Sequence, residues 1–119
     1  MVVAVTIVAA VLFAGMGVYG LAVPTRLVAP FDISLGSATS RAEVRAVYGG
    51  FGLAIAAMLM VALTSPELRT GILLTVAAAL AGMAFGRVVS VLDGRTSFYP
   101  NWFYFLVESV TAAALIVVA

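Results

Sequence analysis

The sequence predicts an all-α fold, a four-helix transmembrane bundle with one long interfacial loop between helices 1 and 2. Three observations predict it. Hydrophobic residues make up 65% of the 119 residues and charged residues only 9%, a balance far from that of soluble domains. Four apolar runs, at about 2–23, 43–64, 70–92 and 100–118, each approach the roughly 20 residues that a helix rising 1.5 Å per residue needs to cross a 30 Å hydrocarbon core. Turn and cap signals separate the runs. Residues 1–119 therefore read as one integral membrane domain.

The first run carries no charged side chain. Gly20-Leu21-Ala22 has the small-x-small look of a cleavage site, but the run lacks a basic leader and is too long, so it reads as a retained span. The connection from Pro24 to Thr39 holds two prolines and the alternating stretch Phe31-Asp32-Ile33-Ser34-Leu35. An apolar loop of that kind belongs at headgroup level or over the bundle end, and a sharper expectation makes it a lid over a pocket. Helix 2 is expected to start at a capping box, Ser40-Arg41-Ala42-Glu43, and to end at Thr64-Ser65-Pro66, where Ser65 can cap and Pro66 can open helix 3. Asp93-Gly94 closes helix 3 and Pro100 opens helix 4, so both later connections are short. The aromatics Phe98, Tyr99, Trp102 and Phe103 match an interfacial belt.

An even number of spans puts both termini on one side. Arg26, Arg41 and Arg95 flank the other side, against Arg69 on the first, so the positive-inside rule places the long loop in the cytoplasm and both termini outside. In lipid, small residues and polar groups decide which helix faces meet. Helix 2 offers Arg41, Arg45, Gly49, Gly52 and Ala56 along one face, and helix 3 offers Thr75, Ala79, Gly82, Gly86 and Ser90. Asn101, Tyr104, Glu108 and Thr111 share the polar face of helix 4, which is expected to turn inward.

The chain has no Cys and no His, which removes the usual side chains for zinc, haem, thiol and Ser-His-Asp chemistry. The expectation is a protein that is not an enzyme and takes no cofactor and no metal. A net charge of +1 without a basic block gives no ground for nucleic acid as a partner. Membrane lipid is the expected partner, with a homo-oligomer or a larger membrane complex left open.

Glu108 is the most informative residue, because an acid near the middle of a span costs roughly 2.5 to 3.5 kcal/mol to insert and has to be paired, protonated or turned to a cavity. Arg87, the only charged group in the run from Gly71 to Leu92, is its natural partner. Rise per residue puts Arg87 roughly 7 Å and Glu108 roughly 12 Å into the apolar layer from the same side. Arg45, about 6 Å past Arg41 by the same rise, approaches from helix 2. A buried ion-pair or ligand-binding cluster of Arg45, Arg87 and Glu108 is therefore expected, supported by Arg41, Tyr48, Asn101 and Tyr104.

Arg45-Ala46-Val47-Tyr48-Gly49-Gly50, Gly86-Arg87, Asp93-Gly94 and Glu108 together resemble an uncharacterised bacterial family of small four-span membrane proteins, a domain of unknown function that is broadly DoxX-like. The resemblance runs nearly the whole chain. It implies a four-helix membrane bundle and brings no activity with it; the expected location is the bacterial inner (plasma) membrane. Three functions remain for the cluster: a structural pair in an accessory membrane subunit, a site for a lipid-like or quinone-like headgroup, or, as the alternative, proton coupling by Glu108 in a small transporter.

Overall fold

A computed structural model describes all 119 residues, which form five helices and no strands. Four are long and apolar enough to cross a membrane: α1 (Val2–Ala22), α3 (Ala38–Thr64), α4 (Pro66–Leu92) and α5 (Phe98–Val118). Between α1 and α3 lies the short α2 (Pro24–Val28), continued by a 3-10 turn at Ala29–Phe31. The long first connection is thus half helical, and Pro24 at the first turn of α2 loses no backbone donor the helix needs.

Helix α3 begins earlier than expected. Ser37 is its N-cap, the Ser40 N–H donates to Ser37 Oγ at 3.1 Å, and the Ser37 N–H donates to Ser40 Oγ at the same distance. This capping box lies one turn upstream of the Ser40–Glu43 box read from the sequence, because a serine hydroxyl fills the place usually taken by Glu or Gln. Further along, α3 widens into a π-helical turn at Arg45–Gly50. The turn into α4 uses Pro66 as expected, but the Ser65 side chain makes no cap, and α4 starts four residues before position 70. Arg69 does the capping instead. Its Nε donates to the Ala62 carbonyl at 2.9 Å and its Nη2 to the Leu63 carbonyl at 3.3 Å, which satisfies acceptors left over at the end of α3. At the start of α5 Tyr99 is extended, so the helix follows from Pro100, as a π-helical turn to Trp102 and as regular α-helix from Phe103.

The four long helices pack in a ring, α1 against α3, α3 against α4, α4 against α5 and α5 back against α1. The α1/α3 seam is the closest. A Cβ built on Gly52 would stand 2.8 Å from the Phe13 carbonyl oxygen, and one on Gly17 would stand 2.8 Å from the Leu53 nitrogen, so only glycine lets the two backbones approach this far. Gly49, Gly52 and Ala56 of the expected α3 stripe are buried in this seam. The α4 stripe differs from expectation. Thr75, Ala79, Gly82, Gly86 and Ser90 are exposed and added Cβ atoms on Gly82 and Gly86 meet nothing, because α4 packs instead through Leu73, Val76, Ala77, Leu80 and Ala84.

Only 23 of 119 residues are buried, and large apolar side chains such as Val11, Phe85, Val110 and Val117 are more than half exposed. A water-facing surface of that kind would aggregate, whereas a lipid-facing one is at equilibrium. The core is also uneven along the bundle axis. Its buried residues are Ala9, Ala10 and Phe13 on α1, Ala56 to Ala62 on α3, Leu73 to Leu80 on α4, and Ala112 and Leu115 on α5, all in the half nearest the termini and the α3/α4 hairpin. In the other half the glycine seam holds α1 against α3, while the space between α1, α4 and α5 is looser, and the polar residues lie there.

Candidate functional site

Arg87 and Glu108 meet as the sequence predicts. Arg87 Nε donates to Glu108 Oε1 at 2.8 Å and Nη2 to Oε2 at 2.9 Å, a two-pronged pairing that fixes both planes. Glu108 is only 4% exposed. Arg87 Nη1 reaches Asn101 Oδ1 at 3.3 Å, and Asn101 Nδ2 in turn donates to Thr96 Oγ1 at 3.0 Å. Asn101 and Glu108 are seven residues apart, two helical turns, so one face of α5 presents both to the same guanidinium. The rings of Phe31, from the first connection, and Tyr104, from α5, each lie 5.8 Å from the Arg87 guanidinium carbon and 5.6 Å from one another. Arg87 is therefore held by a carboxylate, an amide and two aromatic faces.

Arg45 does not join them. Its Nε donates to the Leu21 carbonyl at 3.0 Å, and the side chain is exposed. The expected three-member cluster is a pair, because the end of α1 lies nearer to Arg45 than Glu108 does and offers unsatisfied carbonyls that attract a cation. Arg41 lies near the start of α3, away from the pair, and is partly buried.

Around the pair opens a cavity of about 410 Å³. Its polar rim is formed by Tyr19, Arg26, Tyr48, Tyr99, Tyr104 and the Arg87–Glu108 pair, which brings all four tyrosines of the chain to one place. Deeper in, Leu12, Phe13, Met16, Leu80, Met83 and Val107 make an apolar shaft. From Tyr19 to Leu12 along α1, and from Arg87 to Leu80 along α4, the lining spans seven residues, roughly 10 Å of depth. Leu27, Val28, Pro30 and Phe31 line the same space, so the first connection caps the cavity in the way its sharper expectation described. A second, smaller hollow by Arg95 and Trp102 involves none of these groups.

Of the residues singled out from the sequence, Arg87, Glu108, Tyr48, Tyr104 and Thr111 line the cavity and Asn101 stands behind it. Sequence reasoning missed Tyr19, Arg26, Phe31 and Tyr99 as parts of the site, and read Tyr99 only as an interfacial aromatic. Arg26 was visible only as a topological charge, and Phe31 only as one member of an alternating loop. The available signal was compositional, since four tyrosines in so apolar a chain all fall near the ends of spans on the same side.

Residues 2–119 match the sequence pattern of a family described as a domain of unknown function, DUF4345. The chain belongs to the DUF4345 family. This agrees with the four-span family of unknown function expected from the Arg45–Gly50, Gly86-Arg87 and Glu108 motifs. No curated protein and no solved structure shows significant similarity to it. For this DUF4345 chain the chemistry of the site therefore rests on its own residues: a neutralised ion pair, a ring of phenols, one further arginine and an apolar shaft.

Proposed function

We propose that this is a non-enzymatic, multi-pass protein of the bacterial plasma membrane that holds one lipid-like amphiphile in the cavity between α1, α4 and α5. The observation that carries the proposal is the cavity itself, polar at the rim, apolar below and roofed by the first connection. Pockets of a few hundred Å³ with an apolar lining and a few convergent polar groups are the usual form of a small-molecule site. In this function Arg87 and Glu108 shape the wall, and the long loop faces the cytoplasm with both termini outside. The open small-residue stripe on α4 leaves a face for a second copy or a larger complex, in which the protein would serve as an accessory subunit. The two-pronged pairing of Glu108 weighs against the alternative of a proton-coupled transporter, since a carboxylate tied to arginine is a poor proton carrier.

Native mass spectrometry of the protein released from its own membrane tests the proposal. The expected spectrum contains the protein with one bound amphiphile. A Cβ added at Gly15, which lines the cavity, meets no atom within 4 Å, so a side chain can start there without a clash, and Gly15→Phe is expected to fill part of the cavity and remove the adduct while the melting temperature in detergent stays near that of wild type. A wild-type spectrum with no adduct overturns the proposal.

A further inference from the structure

We infer that the cavity selects a single-chain amphiphile with an anionic headgroup, a medium-chain carboxylate in size, and that Arg26 is the residue that reads the charge. The inference rests on the cavity being a binding site and adds the chemical class of its occupant.

Charge is the first argument. The cavity wall carries two arginines, Arg26 and Arg87, and one carboxylate, Glu108. Glu108 is committed to Arg87 through both oxygens, and the Arg87 guanidinium also serves Asn101 and lies against two rings. Arg26 pairs with no carboxylate, since the only ion pair in the molecule is Arg87–Glu108. The surplus positive charge of the site therefore lies on Arg26, two residues into α2 at the mouth, and not on Arg87 or Arg45. Tyr19, Tyr48 and Tyr104 add neutral hydroxyl donors on the same rim, the kind of group that completes the hydrogen bonds of an oxyanion once a guanidinium has taken its charge.

Size is the second. At about 30 Å³ for a water-sized group, a cavity of 410 Å³ holds roughly fourteen such groups, and a methylene is about that size. A twelve-carbon carboxylate has that many heavy atoms. A two-chain phospholipid has several times as many heavy atoms and would extend well beyond the cavity. The apolar shaft, roughly 10 Å deep, receives the first part of the tail, whose end leaves through the open side of the cavity, and beside Leu12, Met16, Leu80 and Met83 its lining carries a single hydroxyl, that of Thr111.

The test uses the full chain in phosphatidylcholine nanodiscs at pH 8, titrated with radiolabelled dodecanoate and, separately, with dodecanol, which has the same tail and no charge. Wild type is expected to bind dodecanoate at one per chain and to prefer it over dodecanol. Losing one charge-assisted contact to a carboxylate corresponds to about a ten-fold loss of affinity or more, so Arg26→Gln is expected to weaken dodecanoate by that factor and dodecanol hardly at all. Arg26→Lys keeps the charge and is expected to keep the preference. Gly15→Phe fills the shaft and is expected to weaken both ligands alike. If Arg26→Gln leaves dodecanoate unchanged, or weakens both ligands equally, while Gly15→Phe still weakens both, the charge assignment is overturned and the cavity remains a site. Dodecanoate binding lost in discs enriched in phosphatidylglycerol makes a two-chain anionic lipid the occupant and overturns the single-chain assignment. Failure of wild type to bind either ligand overturns both the inference and the function it rests on.

Discussion

Arg87 and Glu108 form a pair in which each member makes the other tolerable. Removing the arginine leaves a carboxylate that is 4% exposed with nothing to balance it, the situation in which breaking a buried pair costs about 3 to 5 kcal/mol. Arg87→Ala is expected to lower stability in detergent by an amount at the lower end of that range, because the arginine itself is partly exposed. Arg87→Met with Glu108→Leu is expected to restore most of the loss, as buried pairs replaced by packed apolar groups often do. Denaturant or thermal melts of the three proteins check both expectations, and a double variant as weak as the single one would show that the pair does more than satisfy itself. The pair was legible in the sequence because a charge inside an apolar run requires a partner, and only one was within reach. Arg45 was not, because rise per residue gives a residue's height in the bilayer and not the direction in which its side chain leaves the helix.

Among the elements, α1 and α3 depend most on what is missing from their side chains. A Cβ on Gly52 would fall 2.8 Å from the Phe13 carbonyl oxygen and 3.0 Å from Gly17, both backbone positions that cannot swing aside. Gly52→Ala is therefore expected to destabilise the bundle by about 1 to 3 kcal/mol, as overpacking does. Gly82→Ala on α4 meets open space and is expected to change stability by less than about 0.5 kcal/mol, or to raise it slightly through better helix propensity. Melting temperatures of the two alanine variants in one detergent decide the comparison. Small-residue stripes on both helices looked alike in the sequence. Their partners are set by which faces the hairpins leave opposite each other, and Gly17 and Gly20 on α1 complete the close seam that the stripe on α3 only half announced.

For the whole molecule the four spans and their order followed from hydropathy and turn residues, and their ends shifted by a few residues where a serine box or an arginine did the capping. The roof of the cavity was legible as the lid expected of the first connection, but its depth and lining were not, since a void is a property of how four helices fail to meet and no single residue encodes it. Membrane orientation belongs to this scale as well. The chain has no cysteine, so single cysteines introduced at Ser34, in the first connection, and at Ser65, in the α3/α4 hairpin, can be read without removing native ones. With the long loop in the cytoplasm, a membrane-impermeant maleimide added to intact cells is expected to label Ser65→Cys and to spare Ser34→Cys. The opposite pattern reverses the orientation.

The bundle is close-packed at one end and opens between α1, α4 and α5 at the other, and this has a consequence for how the protein is handled. An apolar shaft with a polar rim does not distinguish a native tenant from the short-tailed surfactants used to dissolve membranes. Extraction in such a surfactant at millimolar levels would exchange whatever the cell had placed there, by mass action alone. Patches cut out with a polymer belt, tail-free and carrying their own lipid, would deliver the protein with its occupant still in place, and the choice of solubiliser becomes part of any binding measurement.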